Sequence, residues 1–338
     1  MNVARSLARA AYLALASITA FEAHLRGAVR RDQALIVLSL HGVSPERNDF
    51  YPPLHPGALD ELLTLLARDF TLTSFDRLAD APTGRPALVL TFDDGFHDFV
   101  EHAMPVLARH RVHANLNVIA SSVHTGVAPW TQRFNDLLAG APPALLREIR
   151  VPGFDRPAPG PDPEERARYG AALGALLTGC SRAERVPLLA IVERSLARGE
   201  PRVTRMMDAR DVREASREHQ IGAHSLDHDS MGTETLAHFA ADVAGCQTFF
   251  RDTLGLPLEV YAFPNGSARE EQVDHLRGRG FPFILLVGDR YAHAGGPVFP
   301  RFNLGSRDPR LLRLEALGVR AWPRSAVVRP GLPRCPTA

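Results

Sequence analysis

The chain has 338 residues, of which 45% are hydrophobic and 23% are charged, which is typical of a globular protein with a buried core. This composition excludes a disordered chain, a collagen and a coiled coil. The 39 basic residues, all arginine, and 38 acidic residues leave a net charge of +1, which favours neither nucleic acid nor an anionic membrane. Three widely separated cysteines predict no disulfide framework. At roughly 150 residues per domain, the length suits two domains or one barrel with an insertion.

The N-terminal segment, residues 1–31, predicts an amphipathic helix. Its apolar run from Ala10 to Phe21 is too short to cross a bilayer, and charged residues follow it at once. Apolar residues recur at helical spacing, at Leu7, Ala11, Leu15, Ile18 and Leu25. We expect this helix to pack on the domain or to contact a membrane surface, in a cytoplasmic protein. The alternative is an export signal, which the run resembles in length although no clean cleavage site follows it.

Six short apolar runs predict buried strands, and helical patterns follow most of them. The runs are residues 34–40, 87–92, 114–119, 220–224, 259–263 and 283–287. The first of them is continuous rather than alternating, which is typical of a parallel strand covered on both faces. The best-formed helix begins near Thr233 and ends at Gly255. This alternation predicts an α/β fold with a parallel sheet, either open or closed into a barrel.

One segment, residues 121–205, breaks the alternation of strands and helices. Its pattern is helical and rich in proline. We interpret it as a helical insertion or lid within a barrel domain that spans residues 32–322, followed by an irregular tail at residues 323–338. Trp130 and Phe134 in this segment are candidates to face a substrate, although core packing is the commoner role of such residues.

Polar residues follow three of the predicted strands directly. Asp93 and Asp94 come at the end of the second strand, where barrel enzymes place catalytic groups, although Asp-Gly is also common turn chemistry. His224 and His228 are four residues apart and can converge on one metal ion. With one carboxylate they make a set of ligands that leaves coordination positions open. The segment 261–266 runs into a Pro-Gly turn that leaves backbone N–H groups free.

Together these three motifs resemble those of the NodB-type polysaccharide deacetylases, a carbohydrate esterase family. They are TFDDG at 91–95, HSLDH at 224–228 and YAFPNG at 261–266. PRFNL from Pro300 resembles the closing segment of the exopolysaccharide-type members. The resemblance covers residues 34–120 and 206–305 and leaves the insertion out. It implies an irregular (β/α) barrel and metal-dependent hydrolysis of the N-acetyl amide of N-acetylhexosamine residues.

The resemblance also implies a role for each motif residue. Asp94, His224 and His228 would hold a divalent metal ion, usually zinc, and Asp93 would be the general base. A zinc ion with three protein ligands leaves a position for water, lowers the pKa of that water towards ~7 and polarises the amide carbonyl. A backbone N–H near Asn265 would help to stabilise the oxyanion.

Three features depart from the family pattern, one of which is Asn265 in place of the aromatic residue that often follows the proline. Phe263 stands where many relatives carry an arginine that pairs with the catalytic aspartate, so Arg301 is the candidate to orient Asp93 instead. The usual Leu-x-His motif that supplies a general acid is not evident near the end of the barrel. The candidates for that role are His41 and His293, because the unperturbed pKa of imidazole, ~6.5, suits proton donation. Each of these candidates could instead be a structural or surface residue.

The sequence therefore predicts an amidohydrolase that cleaves linear amide C–N bonds. Its predicted substrate is an N-acetylated polysaccharide, oligosaccharide or glycan precursor. The only other partner predicted is a membrane surface. The alternative is a non-catalytic, metal-containing barrel that binds a glycan, because the acid motif is missing. An iron(II) oxygenase with the same three ligands fits less well, since paired aspartates suit hydrolysis better.

Overall fold

Eight short strands form one parallel sheet at the centre of the molecule. The computed structural model describes residues 19–31, 34–46, 48, 50–82, 84–200, 202–293, 295–306 and 308–321. The strands are β1 (Ile36–Leu40), β2 (Thr71–Thr73), β3 (Ala87–Phe92), β4 (Asn115–Val118), β5 (Gln220–Ala223), β6 (Val260–Ala262), β7 (Phe283–Val287) and β8 (Val298–Asn303).

Seven of these strands close into a barrel. Neighbouring strands follow the order β1-β8-β7-β6-β5-β4-β3, and β3 pairs back onto β1 with Ile36 opposite Leu88. The short strand β2 pairs with the first half of β3, outside the ring. The structure thus confirms the predicted (β/α) barrel. The strand pattern alone allowed either an open sheet or a closed barrel, and the barrel is closed.

The structure contains all six predicted strands and adds β2 and β8. Strand β2 has three residues, too few for a periodic pattern to be visible. Strand β8 contains Pro300, which has no N–H to donate and argues against a strand in a sequence, and Arg301 follows it. Both residues interrupt the apolar run that marked the other strands.

Helices surround the barrel on its outside. They are α1 (Thr19–Arg31), α2 (Pro56–Asp69), α3 (Met104–His110), α4 (Ala120–Thr125), α5 (Trp130–Gly140), α6 (Pro143–Leu146), α7 (Pro163–Thr178), α8 (Arg182–Leu196), α9 (Ala209–Ala215), α10 (Leu236–Phe249), α11 (Glu270–Gly278) and α12 (Pro309–Ala316). The apolar faces of α1 to α4 and of α9 to α12 join the outward side chains of the strands in one large cluster, which includes Leu63 of α2, Leu90 of β3 and Phe239 of α10.

Helix α1 packs on the barrel through one face. Leu25 and Val29 are buried in the main hydrophobic cluster, and Arg26 pairs with Asp69 of α2 at 3.0 Å. No helix among the described residues is long and apolar enough to cross a membrane. Residues 1–18 of the predicted N-terminal helix and the predicted tail lie outside the described residues. Membrane contact and a cytoplasmic location stay predictions.

The barrel interior is apolar towards the start of the strands and polar towards their carboxyl ends. Inward side chains occupy alternate positions along each strand. The apolar positions include Val37, Val89, Val260, Leu285 and Phe299. The polar positions, all buried, include Ser39, Thr91, Asn117 and Arg301. The polar layer therefore lies directly beneath the strand ends that carry the predicted site residues.

Between β4 and β5 the chain forms a unit of five helices, α4 to α8, which we call the helical insertion (residues 120–196). Helices α5 to α8 of the insertion share a hydrophobic core of their own, which includes Phe134, Leu138, Leu146, Leu173, Leu177 and Val192. Asp162 caps the start of α7 by accepting the N–H groups of Glu164 and Glu165. Ser181 and Glu184 form a capping box at the start of α8. The insertion is thus a folded unit placed over the carboxyl end of the barrel.

Replacing Gly222 of β5 with alanine should destabilise the fold, because the barrel wall has no room for a methyl group there. A Cβ on Gly222 would overlap the Asn117 amide oxygen and lie 2.7 Å from the Cβ of Val260. We expect Gly222→Ala to lower the free energy of unfolding in urea by about 1–3 kcal/mol, the usual cost of overpacking. The control is Gly278→Ala in α11, where nothing lies within 4 Å of the added Cβ. Equal stability of both variants would contradict this account of the interior.

Candidate active site

One cavity of about 430 Å³ lies at the carboxyl ends of the strands. Seven of the eight predicted site residues line it, namely His41, Asp93, Asp94, His224, His228, Asn265 and Arg301. The helical insertion contributes to another wall of this cavity, with Trp130 and Thr131 of α5 and Gly174 of α7. A concave site at this end of a barrel is where barrel enzymes carry out their chemistry.

Asp94, His224 and His228 bring three potential ligand atoms within 4.8 Å of one another. The Oδ1 atom of Asp94 lies 3.6 Å from His224 Nε2 and 3.3 Å from His228 Nε2. His224 Nδ1 donates a hydrogen bond to the carbonyl oxygen of Ala262 at 2.9 Å. Because a carbonyl oxygen only accepts, the proton of a neutral His224 is on Nδ1, and Nε2 keeps its lone pair for a ligand.

The backbone at this cluster is strained. Asp94 has a φ of 75° and His228 a φ of 60°, and Ser225 between the two histidines has a φ of 66°. Each non-glycine residue in such a conformation costs of order 1–3 kcal/mol and persists only when its surroundings hold it. In this loop the Ser225 hydroxyl accepts the N–H of His228 at 2.8 Å. The turns direct Asp94 and His228 towards the same point of the cavity.

This donor set fits a divalent metal ion. Asp94 Oδ1 is buried and accepts no hydrogen bond from any residue in the described part of the chain. Such an oxygen is costly unless a donor or a cation pairs with it. Burial lowers the pKa of His224 to about 4, against the opposing attraction of Asp93, so the ring is neutral near pH 7, as a ligand must be. Two histidines and one carboxylate suit zinc and leave coordination positions open.

Asp93, by contrast, has partners for both carboxylate oxygens. Arg301 Nη1 donates to Oδ1 at 2.8 Å, and Nη2 of the same guanidinium lies 2.8 Å from Oδ2. Asn117 Nδ2 donates to Oδ1 at 2.8 Å, and Ser39 Oγ lies 3.5 Å from Oδ2. Burial alone would raise the pKa of Asp93, but the charge of Arg301 outweighs it and holds the pKa well below its usual range. Asp93 is therefore ionised and fixed in one orientation.

The loop after β1 places His41 and Tyr51 beside the carboxylates. Their rings meet edge to face with centroids 5.6 Å apart, and both line the cavity. Burial, and after it the charges of Asp94 and Asp93, raises the pKa of Tyr51 well above its usual range. The Tyr51 phenol therefore keeps its proton and remains a hydrogen-bond donor.

His293 does not line the cavity and lies at the other end of the barrel from the other predicted site residues. The preceding residue, Ala292, exchanges backbone hydrogen bonds of 2.9 and 3.0 Å with Leu35 at the start of β1. His293 is exposed at this end of the barrel, and the whole length of β1 separates it from the site. The reason is topological: a chain that leaves β7 must return to the amino-terminal end before β8 can run parallel to it.

Asn265 lines the cavity, but its side chain is exposed and engaged elsewhere. Its Nδ2 donates to the hydroxyl of Ser230 at 3.0 Å. The residue has a φ of 55°, and Gly266 after it has a φ of 64°, so the turn needs residues that tolerate left-handed backbone. The oxyanion role predicted for this turn therefore concerns its backbone rather than the Asn265 amide.

Sequence analysis did not identify four residues of the site as functional: Ser39, Thr91, Asn117 and Tyr51. The first three are polar residues at inward positions of apolar strands, and this alternation was the available signal. Thr91 accepts a hydrogen bond from Arg301 at 2.9 Å and helps to hold the guanidinium. Tyr51 lies in a loop before Pro52 and Pro53, where no periodic pattern distinguishes a functional side chain from a solvated one.

The fold and the site define a barrel hydrolase with a carboxylate–histidine cluster suited to a metal ion. The sequence matches the polysaccharide deacetylase family over residues 80–155 and 200–284, which include all of this cluster. Over these residues the chain is similar to the polysaccharide deacetylases, and this match indicates a deacetylase-type hydrolase. Residues 156–199, which contain α7 and α8 of the insertion, lie outside the match.

Solved structures of deacetylases share the fold. The deacetylase PplD of Streptococcus pyogenes, in complex with acetate, is 13% identical with a TM-score of 0.55, over 84% of this chain and 98% of that one. IcaB from Ammonifex degensii is 17% identical with a TM-score of 0.52, over 84% of this chain and 97% of that one. At these identities the likeness shows the fold alone. No curated protein sequence matches the chain significantly.

Replacing Arg301 with methionine should leave Asp93 as an unpaired buried charge. We expect Arg301→Met to lower the free energy of unfolding at pH 7 by about 3–5 kcal/mol in urea titrations. The folded-state pKa of Asp93 lies below its unfolded value, so the stability from this pair is present above about pH 4 and is lost as the pH falls further. The loss of unfolding free energy caused by Arg301→Met should therefore be smaller below about pH 4.

The double variant Asp93→Asn/Arg301→Met is the control, because it removes both charges together. It should be more stable than Arg301→Met alone. If the double variant is no more stable than the single one, the ion pair is not what holds Asp93.

Proposed function

We propose that the protein is a metal-dependent deacetylase that hydrolyses the N-acetyl amide of N-acetylhexosamine units in a polysaccharide, an oligosaccharide or a glycan precursor. The observation that carries this proposal is Asp94 Oδ1, which is buried, lacks a hydrogen-bond donor among the described residues and faces Nε2 of two histidines. The family match supports an acetylated glycan as the substrate class. Zinc is the metal we propose, because it prefers nitrogen and carboxylate ligands in this number.

Asp94, His224 and His228 are the proposed ligands. When bound, the ion would polarise the amide carbonyl and lower the pKa of a water molecule towards ~7. The buried Nδ1 contact of His224 and the strained backbone at Asp94 and His228 keep the three ligand atoms turned inward. This chain therefore presents the ligands in a preorganised arrangement.

Asp93 is the proposed general base. Its Oδ2 lies 3.9 Å from His224 Nε2, so one water molecule can lie within reach of both Asp93 and the ligand cluster. Arg301, Asn117 and Ser39 fix the direction of the carboxylate, and its ionised state provides the oxygen lone pair that a general base needs. Arg301 is accordingly a positioning residue, which acts on the reaction through Asp93.

His41 is the proposed general acid. Cleavage of the amide C–N bond releases acetate and an amine, and the amine nitrogen must take up a proton as it leaves. Of the two histidines predicted for this task, His41 shares the cavity with Asp93. Its edge-to-face contact with Tyr51 limits the rotation of the ring. The turn at Asn265 lies on the same cavity and is the proposed source of backbone N–H groups for the oxyanion.

Release of acetate tests this function directly. The zinc-loaded full chain should release acetate from members of a panel of N-acetylated glucosamine and galactosamine oligomers of defined length. A chelator should abolish the activity, and added zinc should restore it. If the chain binds zinc and an oligomer but releases no acetate from any of them, it is a glycan-binding barrel and the proposed activity is wrong.

Asp93→Asn is the matched variant, because it keeps the size of the side chain and removes the base. We expect zinc occupancy near that of the wild type and a turnover at least ~100-fold lower, since loss of a general base costs ~10²–10⁴. Zinc is counted by atomic absorption on the same samples. If Asp93→Asn loses zinc while Asp94→Asn keeps it, the two aspartates have the opposite roles.

His41→Gln tests the acid through the pH dependence of kcat. A general acid must carry its proton, so its loss should remove the alkaline limb of the bell-shaped profile while zinc stays bound. His293→Gln is the control and should keep the full bell, because His293 is exposed at the other end of the barrel. A complete bell in His41→Gln would show that another group protonates the amine.

A further inference from the structure

The loop that carries His228 is held by the helical insertion as well as by the barrel. We call residues 224–230 the ligand loop. Its backbone takes the left-handed conformation at Ser225 and at His228, which requires support from its surroundings. On one side, Leu226 N–H donates to the buried carboxylate of Asp242 in α10 at 2.8 Å. On the other side, α5 and α8 of the insertion contact the loop.

The first contact is made by the start of α5. Trp130 is buried, and its indole Nε1 donates a hydrogen bond of 2.9 Å to the carbonyl oxygen of His228. The next residue, Thr131, places its hydroxyl 3.4 Å from Nδ1 of the same histidine. The insertion therefore contacts both the backbone and the outer ring nitrogen of His228, and the inner nitrogen, Nε2, faces Asp94.

The second contact is a buried charge pair. Arg185 of α8 is buried and donates through Nη2 to Oδ1 of Asp229, the residue after His228. The guanidinium of Arg185 also lies over the indole of Trp130, 4.5 Å from the ring centroid. Trp130, Arg185 and Asp229 thus form one continuous unit, in which each member contacts the next.

Further partners complete the charge balance of Asp229. Arg182 Nη1 lies 3.3 Å from its Oδ2 and 2.6 Å from Oδ2 of Asp227. His238 Nε2 lies 3.1 Å from Asp229 Oδ2. Asp229, Glu234 and His238 could be taken for a second metal site, but the arginines already pair with the Asp229 carboxylate. The side chains around Asp229 therefore anchor the ligand loop.

We propose that the helical insertion positions the metal ligand His228 through Trp130, Thr131 and Arg185, and thereby sets the metal affinity of the site. This inference rests on the proposed metal site. The three residues act through His228. Trp130 contacts its carbonyl oxygen and Thr131 its ring. Arg185 packs on the indole of Trp130 and pairs with Asp229 of the ligand loop. Arg185 lies in the part of the insertion that the family match leaves out.

Zinc affinity of single-site variants tests the inference without using activity. The dissociation constant is measured on the purified full chain by competition with a chelator. Trp130→Phe removes the indole N–H, Thr131→Val removes the hydroxyl, and Arg185→Met removes the charge with little change in length. Changes to the partners of ligand residues typically weaken metal binding 10–100-fold, so we expect Trp130→Phe and Arg185→Met to weaken it ~10-fold. The absorption spectrum of the Co²⁺-loaded variants should change as well.

Two controls separate positioning from general stability. Leu173→Ala opens a cavity in the core of the insertion without touching the ligand loop, and Arg198→Gln removes an exposed ion pair with Glu148. Both should melt at or below the wild-type temperature and keep the wild-type zinc affinity. Arg185→Lys, which restores the charge, should recover part of the affinity that Arg185→Met loses.

The outcomes distinguish this inference from the proposed function. Weakened zinc binding in Trp130→Phe and Arg185→Met, with unchanged binding in Leu173→Ala, supports it. Wild-type affinity in Trp130→Phe and Arg185→Met overturns it while leaving the metal site in place. Equal weakening in Leu173→Ala also overturns it, because stability of the insertion would then be sufficient to explain the effect. A wild-type chain that binds no zinc overturns the metal site and this inference together.

Discussion

The site depends on one buried ion pair, between Arg301 of β8 and Asp93 at the end of β3. Arg301 is 1% exposed and Asp93 is 3% exposed, so either charge alone would be costly at this depth. Strands β8 and β3 are both neighbours of β1, and the pair reaches past β1 through the barrel interior. The orientation of Asp93 therefore depends on a contact between two strands that the closed barrel brings together.

Two adjacent aspartates receive opposite environments from this arrangement. Asp93 continues the inward alternation of β3 and meets Arg301, Asn117 and Ser39 in the polar layer. Asp94 follows with a left-handed backbone, which turns its carboxylate out of that layer towards two histidines. Both oxygens of Asp93 have hydrogen-bond or ion-pair partners, and Asp94 keeps an unpaired oxygen. Identical side chains can thus take different chemical tasks because their surroundings differ.

The sequence predicted those parts of the site that depend on strand order and local motifs. Asp93 and His224 each directly follow a predicted strand, so their place at the carboxyl end of a parallel barrel follows from the strand order. The partner of Asp93 is 208 positions away on a strand interrupted by Pro300, so Arg301 was a candidate only through the family resemblance and not through a local pattern. The loop that carries His293 returns to the amino-terminal end of the barrel, so that β8 can run parallel to β7. His293 therefore lies at the end of the barrel away from the cavity, and no local pattern indicates this. The anchoring of His228 by Trp130 depends on how the insertion docks, which is tertiary information.

The central claim is that Asp94, His224 and His228 form one metal site. Crystals of the full chain soaked in zinc, with diffraction data collected at the zinc absorption edge, test it most directly. The account predicts an anomalous peak about 2.0–2.2 Å from a carboxylate oxygen of Asp94 and from Nε2 of both histidines. A peak at Asp229, Glu234 and His238 instead, or no peak at Asp94, would contradict it.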